Sequence, residues 1–178
     1  MLQRAIKKAP QRQKRFVNYR KMKTVLLIFE SDAQERNAAI KNIMTDLKED
    51  NKSVVAWGFI NSKEIASAIL PTYNLLGLHD VDTLMRPLQT QLNNLHEMHF
   101  DVAIDLSTEH NIVTRYLLLN AQADCKIGMR TENEENTMLD FTLSYSPEQI
   151  PSSIEANHDT AIYYFWHNLL PYLQNIQS

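Results

Sequence analysis

The sequence predicts a three-layer α/β sandwich of the Rossmann or flavodoxin type. Four short apolar runs, "TVLLIF" (24–29), "SVVAWGF" (53–59), "FDVAIDL" (100–106) and "CKIGM" (125–129), are continuous, the pattern of strands covered on both faces. The stretches between them carry apolar residues at helical spacing. Strands that alternate with helices build a mostly parallel sheet with a helical layer on each side.

In chain order, the first run is followed by Ser31 and, three residues on, Gln34, an acceptable capping box for a helix reaching about Asp50. Ile40, Ile43, Met44 and Leu47 mark its buried face. The run at 53–59 then completes a βαβ unit, for which a right-handed crossover is the default. From Asn61 to Met98 the pattern weakens: "KEIASAIL" has helical spacing, Pro71 stops it, and "YNLLGLHDVDTLM" reads as a loop or a short strand. Pro87 suits the first position of a helix, with Leu88, Leu92 and Leu95 on one stripe. After the third strand, a helix from about Thr108 to Ala123 turns Ile112, Val113, Tyr116 and Leu117 inward.

"RTENEENTM" leaves too little chain between Met129 and the strand-like "LDFTLSY" (139–145) for the usual parallel crossover of about a dozen residues. The last strand is therefore expected at an edge and antiparallel. The C-terminal helix presents Ile162, Phe165, Trp166, Leu169, Leu170 and Leu173 on one wide face, and Pro171, which removes a hydrogen bond, is expected to kink it.

With 178 residues, 44% of them hydrophobic, the chain suits one domain with a substantial core. The expected organisation is a basic N-terminal helix or arm at 1–23 and a single α/β domain at 24–178. The three glycines, Gly58, Gly77 and Gly128, form neither a Walker loop nor a dinucleotide fingerprint. Cys125 stands alone, which excludes an internal disulfide and a thiol-based zinc site, and it reads as a small core residue. No long apolar run follows the basic start, so the expected location is the cytoplasm; the arginine-rich, acid-free start also matches a mitochondrial presequence in composition.

The net charge of -3 hides a division. Residues 1–23 carry nine of the 18 Lys and Arg and none of the 21 Asp and Glu, so the first segment stands at +9 and the remainder at -12. A cluster of one sign repels itself unless a partner neutralises it. Arg4, Lys7, Lys8, Arg12, Lys14, Arg15, Arg20, Lys21 and Lys23 are interleaved with Phe16 and Tyr19. Cations neutralise phosphates and aromatic rings stack on unpaired bases, so RNA or the ribosome is the expected partner. Leu2, Ile6, Phe16 and Tyr19 equally suit an amphipathic helix on an anionic membrane surface. The bland alternatives are a disordered tail or a helix packed on the acidic body; "ENEE" (132–135) reads as a solvated loop or as an acidic partner that holds the basic start.

In open α/β sheets ligands bind outside the carboxyl ends of the strands. Those ends here carry Glu30, Ser31 and Asp32, then Asn61, then Asp105, Ser107, Glu109 and His110. Glu30, Asp32, Asn61, Asp105 and Ser107 form the candidate ligand set, whose acidity suits a cation, an amine or a hydroxyl-rich molecule. Ser107 is also an ordinary helix cap, and no nucleophile elbow surrounds it. His96 and His99 with Asp101, and His79 with Asp80 and Asp82, have partial metal-ligand spacing; without a third His or Cys, helix-end histidines are the simpler account. No metal, cofactor or catalytic residue is expected.

"FDVAIDLS", "ADCKIGMR" and "LDFTLSY", with a basic start ahead of "VLLIF", resemble a family of small proteins of unknown function from Bacteroidota. The first two segments are also distantly similar to the N-terminal Rossmann-like domain of heptosyltransferases. That second resemblance implies a retained fold without the donor-binding half, hence a small-ligand-binding or degenerate glycosyltransferase-like protein as the alternative to a non-enzymatic RNA-docking one.

Overall fold

The structure, a computed structural model, describes residues 2–8, 12–31, 37–65, 73–108, 111–130, 138–144 and 158–175. Its elements in chain order are α1 (Leu2–Lys8), β1 (Thr24–Ser31), α2 (Ala38–Glu49), β2 (Ser53–Ile60), β3 (Asn74–Leu76), α3 (Gln89–His96), β4 (His99–Asp105), α4 (Ile112–Asn120), β5 (Gln122–Arg130), β6 (Phe141–Ser144) and α5 (His158–Asn175). The strands form one sheet in the order β3-β2-β1-β4-β5-β6, and every neighbouring pair is parallel. This is the doubly wound Rossmann order, with its reversal between β1 and β4.

Continuous apolar strands are needed because both faces are covered. Along β1, Val25, Leu27 and Phe29 enter one core, while Leu26 and Ile28 enter the other. The first core lies under α2 and α5, through Ile40, Ile43, Leu47, Phe165, Trp166 and Leu169. The second lies under α3 and α4, through Leu92, Leu95, Val113 and Leu117. Trp166 adds a polar tie to α2, its Nε1 donating to Asp46 Oδ2 at 3.2 Å.

Several expectations need correction. The final strand is parallel to β5, in the register Ile127 with Phe141 through Arg130 with Ser144. Buried Met138 and Leu139, just ahead of β6, belong to the α3–α4 core, so a parallel pair is reached with less chain than the usual crossover of about a dozen residues. The helix after β1 starts at Ala38, and Asn37, left-handed at φ 46°, occupies its cap position. Asn37 Nδ2 donates to Ser31 Oγ at 3.0 Å, so Ser31 meets the residue at the cap position and is not itself the cap residue; Gln34 lies outside the described residues. The α4 cap is Asn111, whose side chain accepts from the amides of Val113 and Thr114, displacing the expected start near Thr108.

Buried α4 positions are Val113, Thr114, Arg115, Leu117 and Leu118, whereas Ile112 is exposed and Tyr116 half-buried. Pro87 pairs with Val81 in an isolated antiparallel bridge ahead of α3, and Leu88, at the cap position, is exposed. The 61–98 segment contains the edge strand β3, and α5 runs on through Pro171. The helix expected at "KEIASAIL", from Ala66 on, the "ENEE" loop, and the loop at Pro147 and Pro151 lie outside the described residues.

Candidate functional site

Residues 12–23 form a strap that crosses from one sheet face to the other. Ahead of it, Ile6 of α1 packs against the α3–α4 core; behind it, Val17, Tyr19 and Met22 are buried in the α2–α5 core. Between them Arg12 passes the start of β5, donating to the carbonyls of Ala123 (3.1 Å) and Asp124 (2.7 Å) and pairing with the Asp140 carboxylate. Lys14 Nζ lies 3.1 Å from the other Asp140 oxygen, and the Arg15 amide donates to Asp124 O at 3.0 Å. Burial pushes the Asp140 carboxyl up, but Arg12, the Lys126 amide and Lys14 outweigh it, and the net displacement is downward.

Phe16 and Tyr19 serve as anchors, in place of the free stacking surfaces their spacing suggested. Phe16 is half-buried against the core. Tyr19 donates its hydroxyl to Asp50 Oδ2 at 2.6 Å, and burial raises its pKa. Lys52 donates to Tyr19 O at 2.7 Å and stands 4.7 Å from the ring centroid, a cation–π geometry. Lys23 and Thr24 amides both donate to Asp101 Oδ2, fixing the entry into β1.

The remaining strap cations face solvent. Arg15, Arg20, Lys21 and Lys23 are exposed, and none forms an ion pair among the described residues. The Lys14 side chain is 63% exposed despite its partner. Arg4 is exposed on α1; Lys7 and Lys8 belong to that helix, but their side chains lie outside the description.

Beside the strap opens a groove of about 1210 Å³ between α1, α3 and α4. Arg12, Lys14, Arg86 and Lys126 line it with two carboxylates, Asp82 and Asp124; Arg86 is paired with Asp82, and Arg12 and Lys14 with Asp140 beside it. Sequence reasoning missed Lys126, which reads as one polar residue in an apolar strand. It is buried, with Nζ donating to the carbonyls of Leu118 and Leu119 at the end of α4, and burial lowers its pKa to about 8. A lysine there satisfies carbonyls that a helix end leaves open.

At the opposite end of the sheet, the strand-order reversal assembles part of the candidate ligand set. Asp105 pairs in register with Ile28, two residues before Glu30, and Ser107 follows at the exit of β4. Asp105 is fully enclosed; burial raises its pKa, the Ser107 hydroxyl and amide and the Arg115 charge oppose the rise, and Glu30 adds to it. Buried Arg115 reaches this point from α4, an addition invisible in the sequence without the helix register. Ser107 donates its amide to Asp105 Oδ1 at 3.0 Å; its hydroxyl is near that carboxylate but outside hydrogen-bonding geometry. Asn61 is exposed beyond β2, while Asp32, Glu109 and His110 lie outside the described residues.

Among the described residues His96 and His99 take separate partners. His96 contacts Asn120 Oδ1 at 3.2 Å and His99 contacts Asp124 Oδ1 at 2.9 Å. Asp80 accepts from the Gly77 amide, and Asp82 holds Arg86 in a tight turn. Among the described residues no cluster of three His, Cys, Asp or Glu has metal-site geometry, and no helix is long and apolar enough to cross a membrane.

An open, all-parallel sheet with this strand order and a helical layer on each face defines a Rossmann-like α/β protein. The chain belongs to a family of unknown function, DUF6913, whose model matches residues 1–175 and so takes in the strap as well as the sheet. No curated protein matches the sequence.

Proposed function

We propose that the protein is a non-enzymatic cytoplasmic factor that docks on structured RNA, the ribosome included, through cations carried on its ordered strap. The observation that supports this is the division of side chains along residues 12–23. Arg12, Phe16, Val17, Tyr19 and Met22 turn inward, while Arg15, Arg20, Lys21 and Lys23 point outward without carboxylate partners among the described residues. A strap already fixed by its anchors loses little entropy on binding, so its cations meet phosphates at reduced cost. The remainder of the chain, at -12, is repelled by a polyanion and turns the strap toward it.

The test is RNA affinity against salt. Replacing Arg15, Arg20, Lys21 and Lys23 together by Gln is expected to reduce the log-log slope by about 3 to 4, at roughly 0.9 per lost duplex phosphate contact. An unchanged slope removes the proposal. Deleting residues 1–23 is the wrong experiment, because it strips Val17, Tyr19 and Met22 from the core. Each buried side chain of this size contributes about 1.5–3 kcal/mol, against a total stability of roughly 5–15 kcal/mol.

A second reading, a small-ligand site at the strand-order reversal, draws on the buried Ser107 hydroxyl and its enclosed neighbours Asp105 and Arg115. It predicts that Ser107→Ala abolishes binding of a polyol or amine ligand found by thermal-shift screening; ligand binding unaffected by that change would dismiss it.

A further inference from the structure

We propose that the groove between α1, α3 and α4 holds an unpaired stretch of the bound RNA, with phosphates toward Lys14 and Arg86 and bases against Leu88 and Tyr116. This rests on the RNA reading above and specifies the form of RNA recognised.

Size is the first argument. At about 1210 Å³ the groove exceeds the roughly 300–1,000 Å³ of ordinary small-molecule sites, and it suits a polymer segment. The second is chemistry: with Arg12 held by Asp140 and Lys126 buried on helix carbonyls, the cations that reach the groove are Lys14 and Arg86, each partly exposed beside one carboxylate, and the same walls include Leu88, Leu92, Leu119 and half-buried Tyr116. A duplex shows its phosphate backbone to an outside surface and would leave those apolar walls without a partner. An unpaired strand offers phosphates and base faces together, the combination that single-strand sites use.

The third argument is Leu88. It occupies the cap position of α3 with no side-chain cap bond, and it is 40% exposed. Ser, Thr, Asp or Asn there would stabilise the helix, so the position gives up capping for an apolar surface facing the groove. Continuity is the fourth. Lys14 belongs both to the strap and to the groove lining, so one RNA backbone can run from the strap's outer cations into the groove.

The experiment uses the full chain and a hairpin RNA, with and without an unpaired extension of about six nucleotides, enough for several stacked bases. The groove variant carries Arg86→Gln with Leu88→Gln; both side chains are substantially exposed, and circular dichroism checks that the fold is kept. The extension is expected to tighten binding to the native protein by about tenfold, the scale of one or two base contacts. The groove variant should lose that gain while binding the bare hairpin like the native protein, whereas the strap variant should weaken on both RNAs. If the extension adds nothing to the native protein while hairpin binding stays salt-dependent, the groove proposal is overturned and the strap reading stands. If neither RNA binds, both fall. If free mononucleotides displace the extension at equal nucleotide concentration, the groove takes small nucleotides and the RNA assignment is overturned.

Discussion

Arg12, on the strap, pairs with Asp140, at the entry to β6, across 128 residues of sequence. The same carboxylate accepts from the Lys126 amide at 2.8 Å and lies 3.1 Å from Lys14 Nζ, so one side chain ties the strap to two strands. Asp140→Asn is expected to cost about 2 kcal/mol at neutral pH, since it leaves the half-buried guanidinium without its counter-charge. The Asp140 pKa is displaced downward, so its contribution is present above the unfolded carboxyl pKa and lost as pH falls through the folded one. The stability gap between native and variant proteins should therefore close below about pH 4. Urea unfolding at stepped pH reads this directly, and a gap that widens in acid would refute the assignment.

Lys126 carries the opposite linkage. Its folded pKa, about 8, lies below the ordinary value of 10.5, because burial disfavours the ammonium. Between those values the unfolded chain holds more protons than the native one, so this group makes stability rise with pH. Relative to Lys126→Met, the native protein should gain on the order of 1 kcal/mol between pH 7 and pH 9. Denaturation of the two proteins in parallel cancels the remaining titrations; equal slopes would mean that the amine is not desolvated.

Gly58, in β2, tests how closely neighbouring strands pack side chains across the sheet, since Phe29 of β1 and Leu75 of β3 are its in-register partners. A Cβ there would stand 2.6 Å from Leu75 Cδ2 and 2.7 Å from Phe29 Cζ, inside contact distance of a fully buried ring. Gly58→Ala should destabilise by about 1–3 kcal/mol through overpacking, measurable as a lowered Tm. A neutral result would show that Phe29 can withdraw.

The start of α2 is capped from another helix. Asp159 of α5 accepts from the amides of Ala38 (3.0 Å) and Ala39 (3.4 Å), where the local residue, Asn37, makes no side-chain cap bond. Asp159→Ala is expected to cost about 1 kcal/mol and Asp159→Asn roughly half as much, since the amide still accepts a bond but brings no charge to the helix dipole. Chemical denaturation separates the three; equal stabilities would mean that water caps α2 as well as Asp159 does.

The strand runs and the buried faces of α2 and α5 were legible because burial on two faces requires unbroken apolar strands and helical spacing, both local patterns. Caps were misread wherever the partner was remote: Ser31 and Gln34 match a capping box, yet the accepting carboxylate comes from Asp159. Connection length alone pointed to the wrong direction for β6, which is parallel to β5 and is preceded by Met138 and Leu139 in the α3–α4 core. Of the ligand set, the placement of Asp105 and Ser107 at a strand exit was readable, while Arg115 joins them only through the register of α4.

Charge division and strand alternation are properties of order along the chain, so the sequence by itself determined an acidic α/β body led by a basic segment. Whether those cations are available depends on which side chains find carbonyls, carboxylates or apolar cover after folding, and the sequence does not record such distances. Tertiary structure alone decided that Arg12 and Tyr19 are spent as anchors, that Arg20, Lys21 and Lys23 face outward, and that Lys126 is buried beneath α4.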